Sequence, residues 1–205
     1  MSINLIFVIL CCIISYAAFQ NRKLMNSLLD WPYREKRNNE YYRLLSSGFI
    51  HADWIHLIVN MFVLYQFGEI VERYYTELFG GNGRLYYLFL ILLGIIVPNL
   101  IGFFKHQDNP EFRGLGASGA VSAVLFTYVL FDPWAKLYLY GIIPLYSIVA
   151  AILYLGYSFW ADKNRADNVN HMAHITGGIF GIIYTLALKP ALWSSFIHQV
   201  VNFHF

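Results

Sequence analysis

The chain has 205 residues, of which 58% are hydrophobic and only 13% charged, a balance too apolar for an ordinary soluble domain of this length and one that points to a lipid bilayer as solvent. The formal charge of +2 is small, and its basic residues are scattered between apolar runs rather than gathered in a stripe, which argues against nucleic acid as a partner. Cys11 and Cys12 are adjacent within an apolar run, so they can neither staple distant segments nor form a metal knuckle, and they read as small apolar side chains of a helix.

Apolar stretches long enough to cross the hydrocarbon core recur along the chain at 3–19, 53–70, 85–104, 116–131, 136–158 and 172–188. The first has no charged n-region, and no small-x-small cleavage site precedes the polar Gln20-Asn21-Arg22-Lys23; Leu10 departs from a lipoprotein pattern around Cys11. It is therefore read as an uncleaved span. The long loop 20–52 mixes Trp31, Tyr33, Tyr41 and Tyr42 with many charges, a composition suited to folding at the membrane interface. The second span carries His56, Asn60 and Gln66, and a loop with Glu69, Glu72, Arg73 and Glu77 follows it and ends in the turn signal Gly80-Gly81-Asn82-Gly83. The third loop ends in Gly114-Leu115-Gly116, the fourth is Asp132-Pro133-Trp134, and the fifth runs from Asp162 to Asn170. All spanning backbone is expected to be helical, because an open strand edge would leave amides unsatisfied in lipid. The predicted fold class is all-α, a polytopic bundle of six transmembrane helices in one domain at 1–190, with a short aromatic tail at 191–205.

Polar residues at membrane depth are costly and default to a functional reading. Six spans alternate in direction, so the first turns of the second, fourth and sixth lie on one side of the membrane. His51 and His56 open the second span, Ser118 the fourth and His174 the sixth. Glycines flank Ser118 in Gly116-Ala117-Ser118-Gly119, leaving its hydroxyl uncovered, and its amide belongs to the first turn of a helix, where it can donate to a developing oxyanion. The same four residues could also be a small-residue packing patch. His174 stands in Ala173-His174-Ile175-Thr176-Gly177, and Gly177 with Gly181 has the spacing that lets helices approach closely. Facing Ser118, its imidazole can take the serine proton and return it to a leaving amine; alone, it could be a helix-to-helix hydrogen bond. His56 and Asn60, at i and i+4, share a helical face and supply uncharged donors suited to an oxyanion hole, whereas His51 reads as a structural hydrogen-bonder. Asp162 and Asp167 lie outside the sixth span, so a dyad without an acidic third member is expected, a buried carboxylate being expensive to desolvate.

In His56-Leu57-Ile58-Val59-Asn60-Met61, Gly116-Ala117-Ser118-Gly119-Ala120 and Ala173-His174-Ile175-Thr176-Gly177 the chain resembles the rhomboid family of intramembrane serine proteases. The resemblance implies a compact six-helix rhomboid-like bundle with a Ser118–His174 dyad in a water-filled cavity, and with His56, Asn60 and the Ser118 amide stabilising the oxyanion. His51, Gly116, Gly119 and Gly177 would support the site. Substrates would be single-span membrane proteins cut near small residues, with no metal or cofactor. Two positions depart from the family pattern. Ser122 stands where many members have an aromatic ring that stacks on the catalytic histidine, and Tyr42-Arg43 replaces a Trp-Arg pair. The expected location is an integral, multi-pass position in a bacterial inner membrane, since no presequence is recognisable. The loops on the catalytic side carry most of the Lys and Arg, which the positive-inside rule would place in the cytoplasm; the resemblance implies the reverse and is followed here, because a folded loop can hide charges from the rule.

Three other readings compete. A catalytically silent rhomboid-like protein would bind membrane clients without cutting them, which the presence of both Ser118 and His174 disfavours. A metal enzyme built on His171, His174 and His51 or His56 lacks the glutamate of His-Glu-x-x-His. A transporter using buried histidines as a proton relay lacks half-to-half symmetry.

Overall fold

The computed structural model describes residues 1–139, 143–164 and 170–203. Its helices are α1 (Ile3–Gln20), α2 (Arg22–Leu28), α3 (Pro32–Asn38), α4 (Arg43–Ser46), α5 (Trp54–Val63), α6 (Glu69–Phe79), α7 (Gly83–His106), α8 (Ser118–Phe131), α9 (Ser147–Asn164), α10 (His171–Leu188) and α11 (Ala191–Val201). Two antiparallel strands, β1 (Lys136–Leu139) and β2 (Ile143–Tyr146), lie between α8 and α9 in the chain. The architecture is that of an all-α, polytopic membrane protein. Among the described residues, α1, the helical run Trp54–His106 and α10 are long and apolar enough to cross a membrane, while Ser118–Phe131 and Ser147–Trp160 are shorter apolar helices.

Helix α8 is the hub. Residues all around it are buried, and it packs against α7, α9 and α10. The contacts with α7 and α10 are backbone to backbone. A Cβ on Gly119 would meet the Gly94 carbonyl of α7, and one on Gly177 would collide with the carbonyl and Cα of Gly119. Gly181 meets the Ala123 backbone in the same way one turn later. The small-residue spacing seen in the sixth span thus joins α10 to the helix that opens with Ser118.

Two sequence expectations need correction. Glu69, Glu72, Arg73 and Glu77, read as a loop, lie in α6, which carries the helical path on through a π-helical turn at Leu64–Gly68. The charges have work inside the fold. Glu72 is buried and accepts hydrogen bonds from the amides of Ile3 (3.0 Å) and Asn4 (2.8 Å), so its carboxylate sits at the positive end of α1. Asn4 in turn donates to the Leu64 carbonyl at the π-helical turn (2.9 Å). The chain reverses at Gly80, whose φ of 55° suits glycine, and α7 then packs back along α6.

The second correction concerns 136–158, expected as one continuous helix. Its first part is the strand pair, with Lys136 opposite Tyr146 and Leu137 opposite Leu145, and helix begins only at Ser147. Pro144 explains the break, since it disfavours helical backbone at the preceding residue and supplies no amide. The Ser147 amide and hydroxyl donate to the Ala135 and Asp132 carbonyls and tie the start of α9 to the end of α8. Residues 191–201, read as a tail, form α11, and the Trp134 indole donates to its Gln199 carbonyl at 2.9 Å.

The loop 20–52 is folded, as its composition predicts: α2, α3, α4 and a 3-10 turn at Ser47–Phe49 lie within it. Arg43 is the staple. Its buried guanidinium donates to the carbonyls of Asn26 and Leu29 (both 2.9 Å) and to Glu40 (2.6 Å). Asp30 and Gly114 exchange backbone hydrogen bonds of 2.9 and 3.0 Å, which bind this loop to the segment just before α8.

Candidate active site

Ser118 is the first residue of α8, and the turn before it is held from three places. Gly114 is bridged to Asp30, the Gly116 amide donates to the Ser47 carbonyl (2.9 Å), and the Ala117 amide donates to His51 Nε2 (3.4 Å). Gly116 has a φ of 110°, a conformation that requires glycine. It also has no room for a side chain: a Cβ would lie 2.7 Å from Cε1 and 2.9 Å from Nε2 of His56. At the first position of a helix the Ser118 amide has no intrahelical acceptor, and among the described residues it donates to no other carbonyl.

The two histidines before α8 differ in their hydrogen bonds, and those bonds fix their tautomers. His51 is fully buried; its Nε2 accepts the Ala117 amide, so the proton resides on Nδ1, which faces Ser15 Oγ at 3.0 Å. Both nitrogens are used structurally. His56 has the opposite arrangement, since its Nδ1 accepts the Ala52 amide (3.3 Å) and its Nε2 therefore carries the proton, beside Gly116. Asp53 caps α5 by accepting the His56 amide (2.8 Å), fixing the start of the helix that presents this imidazole. Asn60, one turn later, spends one amide hydrogen on the His56 carbonyl (2.8 Å), which leaves the other for a ligand.

A cavity of about 730 Å3 lies between α5, α8, α9 and α10. Ser118, His174, His56 and Asn60 all line it, together with Tyr154 and Arg113. Its remaining walls are largely apolar, among them Val59, Val63, Val121 and Leu125. A second, much smaller cavity of about 10 Å3 sits on another side of Ser118, walled by Pro98, Asn99, Gly116, Gly119 and Asn170. Its size matches about one water molecule.

His174 is stacked by a ring from a neighbouring helix. The Tyr154 ring of α9 lies 5.8 Å from the imidazole at an interplanar angle of 14°, and its hydroxyl is 3.1 Å from Ser122 Oγ. His171 approaches the same imidazole edge-on at 5.7 Å. Tyr154, Asn99 and Asn170 are site residues that the sequence did not single out. Asn170 caps α10 by accepting the Ala173 amide (3.1 Å), and an Asn directly before His171 was the signal for it. No local signal marks Tyr154, because its contact spans helices. Asp167, with the rest of 165–169, and the side chain of Asp162 lie outside the described residues. Among the described residues no three His, Cys, Asp or Glu side chains gather closely enough to hold a metal ion.

Residues 38–191 match the family model for the Rhomboid domain. The chain is 26% identical over 179 residues to RHOMBOID-like protein 12, mitochondrial, of Arabidopsis thaliana, a match covering 83% of this chain and 53% of that protein. It is 32% identical over 159 residues to Rhomboid protease GlpG of Klebsiella pneumoniae, covering 75% of this chain and 51% of that one. With Rhomboid protease GlpG of Haemophilus influenzae the identity is 26% over 190 residues, covering 89% and 88% of the two chains. The chain thus spans about half the length of the first two relatives and most of the third. The domain match covers most of the chain, the segments carrying Ser118, His56 and His174 all fall within it, and the chain belongs to the rhomboid family.

Proposed function

We propose that the chain is an intramembrane serine endopeptidase that cleaves single-span membrane proteins within or near their transmembrane segment, with Ser118 as nucleophile and His174 as general base. The observation that carries this reading is the shared cavity: a hydroxyl at a helix start, an imidazole and two uncharged donors line one space between packed helices. Ser118 Oγ attacks the scissile carbonyl carbon while His174 takes its proton. The carbonyl oxygen becomes an oxyanion that accepts from His56 Nε2–H, the second Asn60 amide hydrogen and the Ser118 amide. Collapse breaks the C–N bond, and His174 delivers the proton to the leaving amine. Water then hydrolyses the acyl-enzyme, and the small cavity beside Ser118 is of a size to supply it.

Six membrane crossings fit this reading, with α5–α6 and α7 as successive passes around Gly80 and with α8 and α9 as short ones. Short passes suit a cavity that must hold water below the membrane surface. The relatives named as rhomboid proteases favour cleavage over silent binding of clients. The test is incubation of purified wild type, Ser118→Ala and His174→Ala with a single-span reporter in detergent, scored by gel and mass. Cleavage by wild type alone is expected. Wild type that is folded yet neither cuts nor takes a fluorophosphonate label on Ser118 would move the assignment to a silent client-binding protein.

A further inference from the structure

We infer that Tyr154 is the residue that positions the base, its ring orienting His174 from α9 and its hydroxyl held in place by Ser122. The inference deepens the proposed function and rests on it. Ser122 lies one helical turn beyond Ser118 on α8, is fully buried, and bonds the Tyr154 hydroxyl at 3.1 Å. The Tyr154 ring in turn runs nearly parallel to His174, 14° apart. The helix that carries the nucleophile thus fixes, through a serine and a ring, the plane of the imidazole on α10.

Cavity size shows why such a device is needed. His174 borders a space of about 730 Å3, and the Tyr154 ring lies nearly parallel to its imidazole at the edge of that space. Removing the stacked ring would loosen the plane of the imidazole, and misplacing a proton acceptor by an ångström can cost about a hundredfold in rate. An aromatic side chain at 122 would reach the same region from α8. Here the small Ser122 leaves that space to a ring delivered by α9, so the contact is remade by different chain segments with the same outcome for the histidine. Phe126 lies 6.3 Å from the Tyr154 ring and adds a second aromatic neighbour on α8.

Because α9 carries the ring, any movement of α9 also releases His174. One face of α9 is unburied, with Ile152, Leu153, Tyr157, Phe159 and Trp160 exposed. Base orientation is therefore coupled to the seating of a peripheral helix, not to the central bundle alone.

The experiment compares Tyr154→Phe, Tyr154→Leu and the double variant Tyr154→Leu with Ser122→Phe, reading kcat and KM on the reporter and the His174 ring-proton resonances by NMR in micelles. Tyr154→Phe keeps the ring and should stay within about threefold of wild type in kcat, while Tyr154→Leu should lose about tenfold or more in kcat with KM little changed. The double variant, which returns a ring to α8, should recover most of the loss. The His174 resonances should follow the same order through the ring-current shift. A Tyr154→Leu enzyme with wild-type kcat and unshifted His174 resonances overturns the inference, as does a double variant no better than Tyr154→Leu in both readouts. Wild type that neither cuts nor labels on Ser118, yet shows the Tyr154-dependent shift, overturns the protease reading and with it the catalytic role, leaving the stack as the anchor of an inert histidine.

Discussion

Gly116→Ala probes the junction between the proposed nucleophile and the proposed oxyanion donor, and its cost separates into backbone and side-chain parts. Gly116 has a φ of 110°, where an L side chain is strained by about 1–3 kcal/mol. The new methyl would also sit 2.7 Å from His56 Cε1 and 2.9 Å from Nε2, an overpacking worth about 1–3 kcal/mol more. The expected total is a loss of about 2–6 kcal/mol in unfolding free energy. In a His56→Ala background the imidazole is gone, so the same substitution should cost only the backbone part of about 1–3 kcal/mol. Denaturation of the four proteins in mixed micelles gives the coupling directly. Activity should follow the same logic: Gly116→Ala pushes the His56 donor aside and lowers kcat by about a hundredfold, yet does little further harm once His56 is absent. Gly102→Ala is the control, because that helical glycine faces open space and should gain up to about 1 kcal/mol. An equal cost of Gly116→Ala in both backgrounds would refute the placement of His56 against Gly116.

His51→Ala and His56→Ala should behave differently. Losing His51 strands the Ala117 amide and should cost about 2–4 kcal/mol of stability, with cleavage per folded molecule reduced only modestly, whereas losing His56 should lower kcat by about a hundredfold or more at nearly unchanged stability, measured by thermal unfolding beside reporter cleavage. Gly177→Ala wedges a methyl against the Gly119 backbone and should part α8 from α10, abolishing fluorophosphonate labelling of Ser118 and lowering Tm by several degrees or more. Burial, and then the neighbouring Glu35 carboxylate, hold the Asp30 carboxyl far above its usual range, so the folded protein keeps a proton that the unfolded chain releases. That contribution is complete below the unfolded value and is lost as pH rises through the folded one; wild type should lose stability from weakly acidic to alkaline pH, and Asp30→Asn should flatten that slope in unfolding scans.

The parts of the fold that read clearly from the sequence are those decided by local chemistry. Ile3–Gln20 and His171–Leu188 are predominantly apolar, and their ends fall within a residue or so of where hydropathy places them. Close packing of α10 on α8 was legible because Gly177 and Gly181 have no other reason to recur at that spacing. What escaped were features whose cause lies elsewhere in the chain. Glu72 reads as a loop charge until its carboxylate is seen to bind the first amides of α1, nearly seventy positions away. The strand pair Lys136–Leu139 and Ile143–Tyr146 was hidden by apolar composition, which cannot tell a short strand from a helix, although Pro144 was a local warning. At the site, Ser118, His174, His56 and Asn60 could be named from motif and helical phase, and they line one cavity. Tyr154 could not, because nothing within α9 records that Ser122 and His174 are its neighbours.

The same division explains how charge is distributed. Around the cavity, the fixed hydrogen bonds leave His51 and His56 as neutral tautomers, and Asn60 and the Ser118 amide are neutral donors, so the helices need desolvate few ions there. Other charged side chains gather in the loop 20–52 and beside the start of α1, where Arg43 pairs with Glu40 and Glu72 accepts from backbone amides. Asp30 and Glu35 are two buried, interacting carboxyls, of which Glu35 also accepts the Trp31 amide at 3.0 Å. Burial, and then the neighbouring Glu35, favour the neutral form of the Asp30 carboxyl. Asp30 also pairs with Gly114, and a Cβ at Gly114 would lie 2.7 Å from Asp30 Oδ2, so the neutral carboxyl is packed directly beneath the turn that delivers Ser118. Ionising it would place a buried charge directly beside that turn. The loop is therefore a template for the proposed nucleophile, holding residues 114–117 through Asp30, Ser47 and His51 at once, and its own stability sets how firmly Ser118 is presented to the cavity.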